Sequence, residues 1–137
     1  MKAVIKQVER CAFIGKADSN HWTVIDVPKE TCGSDAATRP MEMVLLALGS
    51  CSGADVVSIL EKKKVVLDGF EINIDAERAD SYPMVFKKIH LEFVFYGKDI
   101  NPVHVERAIA LSMEKYCSVS AMLKPSVQIT SSYKIIN

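Results

Sequence analysis

The chain has 137 residues, 49% of them hydrophobic, with 17 basic and 17 acidic side chains that cancel. That length suits one domain with a sizeable core and not two independent ones. A formal net charge of zero leaves no field to draw in nucleic acid or an anionic membrane surface, so neither is expected as a partner.

The opening MKAVIKQVERC is charged every few residues and has no apolar stretch of the kind an export signal needs, so a cytoplasmic location is expected. Residues 2 to 8, 11 to 16 and 21 to 27 read as three short strands rich in Val, Ile, Phe, Trp and Thr. Together they suggest an antiparallel meander over 1–27, which seldom buries enough on its own. Residues 28–39 turn to Lys, Glu, Thr, Gly, Ser and Asp, a candidate lid or binding loop in which Cys32 is expected to be exposed.

The body, 40–137, opens with the most apolar segment of the chain, RPMEMVLLALGSCSGADVVSILEK, read as a buried helix. Pro40 suits the first turn, and Glu42 faces the positive end of the helix dipole. The apolar run is broken by Gly, Ser and Asp55 and falls short of the roughly 20 residues that a membrane span needs. A band of small residues from Ala47 to Ala54 contains Gly49 and Gly53, each costing roughly 1 kcal/mol in a helix. Close approach of another backbone would offset that cost, which places Cys51 at a helix crossing.

Phe70, Ile72, Ile74 and Ala76 alternate with polar residues, as do Ile89, Leu91, Phe93 and Phe95. These are two amphipathic strands joined through 79–83, with an apolar face that calls for helices against it. Asn101-Pro102 starts a second helix, with Val105, Ala108, Ile109, Ser112 and Tyr116 inward. It ends near Tyr116, and Ser118 can cap a short helix to Leu123 ahead of a last strand, 126–136. Cys117 then sits at a corner beside a fresh helix N-terminus, a position that lowers a thiol pKa.

Four cysteines, at 11, 32, 51 and 117, form no CxxC pair and match no zinc spacing with the three histidines. No metal or cofactor is expected, and the thiols are expected to be reduced. Asp55 lies one turn beyond Cys51, but no histidine is tied to the pair by spacing, so a hydrolase is disfavoured and Asp55 reads as a structural hydrogen-bonding residue. There is no glycine-rich phosphate loop and no paired-carboxylate motif. Two thiols in defined surroundings remain, Cys51 and Cys117, with an inert small-hydrophobe role for Cys51 as the alternative.

PMEMVLLALGSCSGADVVSIL, with EKYCSVSAML ahead of a final strand, resembles the two signature regions of the OsmC/Ohr family, in particular its YhfA-like branch. The resemblance implies an α+β fold with antiparallel sheets wrapped around two central helices in an intertwined homodimer. It also implies a thiol-dependent peroxidase. Cys51 would attack an organic hydroperoxide or peroxide, Cys117 would resolve the sulfenic acid to a disulfide, and a dithiol would reduce it. The peroxidase branches place a glutamate directly after the helix-starting proline, where this chain has Met41, with Glu42 one residue later. Glu42 is nine residues from Cys51, roughly 180° around the helix, so any help it gives would come across the dimer. The arginine that holds the thiolate in such peroxidases would be Arg10 or Arg39. The alternative function is a non-catalytic or differently specialised homodimer of this kind that binds a small apolar or thiol-reactive ligand at its interface.

Overall fold

The sequence alternation at the two ends of the chain becomes two separate three-stranded sheets in the computed structural model, which describes all 137 residues. The chain divides into two compact units, Met1–Leu46 and Ala47–Asn137.

In the first unit, β1 (Ala3–Glu9), β2 (Ala12–Ala17) and β3 (Thr23–Ile25) pair antiparallel in chain order. The meander is therefore as expected, although its third strand has three residues rather than seven. Its turns use Arg10 and Asn20 at positive φ, 51° and 62°, the left-handed region that asparagine tolerates better than most residues. Lys6 and Lys16 stand over the Trp22 ring at 5.7 and 4.9 Å.

Asp26, only 1% exposed, organises the loop after β3. Its carboxylate accepts from the backbone N–H groups of Val27, Ser34 and Ala36 at 2.8, 3.0 and 3.0 Å. Those bonds, Ala36 foremost, hold its pKa below the usual carboxylate range. A single tight turn at Lys29–Thr31 then carries the chain back. Gly33 packs so closely that a Cβ there would run into the Val27 carbonyl.

This folded loop corrects one expectation. Cys11 and Cys32 are joined in a disulfide, with Cα atoms 5.6 Å apart, inside the roughly 4.4–6.8 Å such bonds use. The sequence points to reduced thiols, since no CxxC pair is present and a cytosolic setting is expected, and 21 residues separate these two. The loop brought back around Asp26 removes that separation in space.

Helix α1 (Pro40–Lys62) starts as the sequence indicates, with the Glu42 carboxylate accepting from the Arg39 N–H at 2.9 Å, half of a capping box. Its span matches the segment read as a helix from the sequence. Its most apolar 18-residue window has mean hydropathy 1.9, so by length and composition it could cross a membrane, a property that core helices share. Its buried residues, Leu48, Gly49, Ser52, Gly53, Val56 and Leu60, face protein instead.

In the second unit, β4 (Gly69–Arg78) pairs antiparallel with β5 (Phe86–Tyr96) from Gly69↔Tyr96 to Ala76↔Ile89. Ile89, Leu91, Phe93 and Phe95 are fully buried or nearly so, and the Phe70 ring lies 5.0 Å from that of Phe95. Each such side chain contributes roughly 1.5–3 kcal/mol. β6 (Gln128–Ile136) pairs with β5 in parallel, from Lys88↔Gln128 to Tyr96↔Ile136. The sheet is therefore mixed, not antiparallel throughout. Its cause is the helical return through α2 (Pro102–Leu111) and α3 (Ser118–Leu123), a crossover long enough to bring β6 in along the direction of β5.

The glycines of α1 meet this sheet rather than a second helix. A Cβ on Gly49 would sit 2.8 Å from Ile74 Cδ1, and one on Gly53 would sit 3.1 Å from Ile72 Cδ1. The i,i+4 glycine stripe is the groove that receives β4. The neighbouring residue Ser52 does face the α2 side, so the small-residue band serves two neighbours.

Candidate functional site

α2 begins as its sequence indicates: Asn101 Oδ1 accepts from Val103 N–H at 3.0 Å, with Pro102 at the first helical position. After Leu111 the helix widens into a π turn, Ser112–Tyr116, closed by Cys117 N–H donating to Ser112 O at 2.9 Å. The additional residue in that turn re-aims the chain beyond it, a recurrent device beside functional sites. Ser112 is fully buried, and its Oγ donates to Asp55 Oδ2 at 3.1 Å, with Ser52 O as a second acceptor at 3.3 Å.

Cys117 ends up against α1. The Sγ atoms of Cys51 and Cys117 and a carboxylate oxygen of Asp55 all lie within 4.8 Å of one another. Ser52 Oγ donates to Cys117 Sγ at 3.2 Å, and Ser120 N–H donates to the same sulfur at 3.3 Å. Cys117, not Ser118, is therefore the cap of α3. Ser120 Oγ is buried without a hydrogen-bond partner in the chain.

The two thiols differ in access. Cys51 is half-buried, whereas Cys117 is 3% exposed. Burial pushes the Cys117 thiol up, further raised by its Cys51 neighbour and opposed by the bonds from Ser52 and Ser120. The lowered pKa expected from a helix N-terminus is thus overturned. A six-residue helix capped by the thiol itself donates one N–H, and that does not offset desolvation. Asp55 opens onto a cleft of about 420 Å³ whose walls include Ser58, Ile59, Lys62, Leu111 and Tyr116. A second cleft, of about 350 Å³ across β4, β5 and β6, holds no nucleophilic thiol, and His90 there is engaged by Thr130 and Ser132 at 2.8 Å each.

Of the other residues singled out by sequence, Glu42 caps α1, as a first-turn acid would. Arg39 forms an ion pair with Asp35 at 2.8 Å, which raises its pKa further. Arg10 occupies the β1–β2 turn, where its carbonyl accepts from Gln7 Nε2 at 2.6 Å. Sequence reasoning missed Ser52 and Ser120 as partners of the thiol. A serine on an otherwise buried helix stripe needs a hydrogen-bond partner, and that requirement was the available signal.

The family described as OsmC-like protein matches residues 33–132, a span that holds both thiols of this cluster. The chain belongs to the OsmC-like family. It is 42% identical to the protein YhfA of Escherichia coli K12 over 136 residues, 99% of this chain and 98% of that relative. A solved structure of a hypothetical protein from Aquifex aeolicus VF5 is 30% identical with a TM-score of 0.83, covering 99% and 97% of the two chains. The organic hydroperoxide resistance protein OhrB of Bacillus subtilis, 16% identical with a TM-score of 0.63 over 97% and 96%, shares the fold. Within this OsmC-like chain, a nearby cysteine pair fits a redox role.

Proposed function

We propose that the protein is a thiol-dependent peroxidase in which Cys51 is the attacking thiol and Cys117 the resolving one. The observation that carries this reading is the adjacency of two free thiols, one accessible and one buried. The Cys51 thiolate sulfur attacks one peroxide oxygen; an S–O bond forms, the O–O bond breaks, and the departing alkoxide takes a proton to leave as alcohol. Cys117 then attacks the sulfenic sulfur as its own proton is lost; the S–S bond forms and water leaves. A dithiol reduces this disulfide and is itself oxidised. Ser52 and the Ser120 N–H stabilise the charge that develops on Cys117, which burial otherwise disfavours. The cleft beside Asp55, with Ile59, Leu111 and Tyr116 in its wall, offers the organic part of a hydroperoxide an apolar surface.

Titrating free thiols before and after one equivalent of cumene hydroperoxide tests this. Loss of two thiols in wild type and of none in Cys51→Ser is expected; no loss in wild type would sink it. A second reading, a ligand-binding member of the family without peroxidase activity, draws on the engagement of Arg39 by Asp35 and Glu42 by the helix start. Unchanged thiols with saturable ligand binding would favour it.

The chain is further proposed to act as one domain and to form a homodimer in the cytoplasm, with no nucleic-acid or membrane partner. Ile5, Val8, Trp22, Val24 and Leu46 are exposed apolar residues that a second copy would cover. Light scattering should report about twice 15.2 kDa at micromolar concentration; a monomer would overturn this.

A further inference from the structure

The peroxidase chemistry makes no use of Asp55, although its carboxylate completes a three-donor cluster with both thiols. We infer that the reduced Cys51–Asp55–Cys117 cluster binds a thiophilic divalent cation, Zn²⁺, and that metal binding and disulfide formation at this site exclude each other. The inference rests on the reading of this pair as redox-active for its regulatory part alone.

Two thiolates and a carboxylate suit a tetrahedral Zn²⁺ with a fourth position left for water. Zn–S bonds of about 2.3 Å and Zn–O bonds of about 2.0–2.2 Å place the donors roughly 3.4–3.8 Å apart, so atoms lying within 4.8 Å need close by only about 1 Å. Cys51 and Asp55 are at i and i+4 of α1, the spacing by which one helix face presents two ligands to a metal. Both are partly exposed, which leaves them room to turn inward. Cys117 is fixed from the other side.

The surroundings are built in the way ligating groups require. Ser112 Oγ holds Asp55 Oδ2, while Ser52 Oγ and Ser120 N–H both point at Cys117 Sγ, the donors that a metal-bound thiolate needs. Charge argues the same way. Zn²⁺ in place of the two thiol protons leaves the net charge of the cluster at −1, so binding adds no uncompensated charge to this half-buried site. Binding releases the two thiol protons to solvent and involves no electron transfer. Once the sulfurs are joined in a disulfide neither is a thiolate, and two ligands are lost. Conversely, a bound ion occupies the lone pairs that would attack peroxide.

The test uses full-length protein, reduced and stripped with a chelator, and titrated with Zn²⁺ against a chromophoric chelator, with Co²⁺ as a spectroscopic stand-in. About one equivalent should bind per chain, and Co²⁺ should show thiolate charge-transfer absorption that weakens in Cys117→Ser. Asp55→Asn should lower affinity at least tenfold, while a Cys11→Ser/Cys32→Ser double variant should still bind. Zn²⁺ should slow peroxide-dependent thiol loss at least tenfold. Substoichiometric binding in wild type, Co²⁺ spectra without thiolate absorption, or undiminished affinity in Asp55→Asn would overturn the site whatever the folding of the cysteine variants. Metal-free protein separates the two ideas. Thiols lost to peroxide there without any Zn²⁺ binding remove the metal site alone, whereas Zn²⁺ binding without thiol loss removes the peroxidase alone.

Discussion

The two cysteine pairs lie in different units and are held in opposite ways. Cys11 and Cys32 bridge the start of β2 and a loop, are joined, and owe their meeting to backbone geometry around Asp26. Cys51 stands on α1 and Cys117 at the cap between the π turn and α3; both remain thiols, with hydroxyl and N–H donors aimed at the Cys117 sulfur. The first arrangement constrains a chain; the second positions a reaction. Proximity alone therefore says little about a cysteine pair, and the donors around the sulfur say more.

The sharpest way to break this contrast is to remove the resolving thiol. Cys117→Ser should still react once with peroxide, leaving a sulfenic acid on Cys51 that dimedone labels, whereas Cys51→Ser should lose fast reaction, by a factor of a hundred or more. Mass spectrometry of the two variants decides it. A dimedone adduct on Cys117 in Cys51→Ser, formed at the wild-type rate, would reverse the roles.

On the other side of the comparison, Cys32→Ser should leave peroxide chemistry intact and cost stability. Opening a cross-link between residues 21 apart removes a constraint on the unfolded chain worth about 3 kcal/mol. Denaturant melts of the oxidised protein measure it, and an unchanged midpoint would show that the bond does not constrain the chain. Gly53→Leu, which pushes a side chain towards Ile72 and Phe70, should cost roughly 1–3 kcal/mol by overpacking, read as a lower melting temperature.

The smallest effect concerns Asp26. Its folded pKa is lowered, so its contribution is fully present above the unfolded value near ~3.9 and is lost as pH falls through the folded pKa. Asp26→Asn should therefore lower stability at neutral pH and flatten the decline of wild type below pH ~4. Parallel curves for the two proteins in acid would contradict this.

Much of this molecule was legible in the sequence where a signal is local. Pro40 and Glu42 marked the start of α1, Asn101-Pro102 marked that of α2, and period-two alternation found β4 and β5. The features that were not legible depend on distant residues. Alternation in β6 is the same for parallel and antiparallel pairing, so only the crossover decides. The sequence between the two helices offers Ser118 as the cap, and only the packed structure shows that Cys117 takes that place through the bond from Ser120 N–H, with a pKa raised by burial. Cys11 and Cys32 gave no spacing signal because their meeting depends on a carboxylate binding three loop amides.

The parallel seam between β5 and β6 also has a temporal side. β4 and β5 are linked by a short turn, so their ladder can form by local closure, whereas Lys88 must find Gln128 across forty positions of chain with α2 and α3 between them. Such non-local pairing waits on the helices that shorten the gap, and ladders of this kind form slowly. The strand that arrives last is expected to be the first to let go. In hydrogen-exchange measurements, the amides of β6 should open at lower free energy than those paired between β4 and β5, and equal protection across all three strands would show that the sheet assembles as one piece.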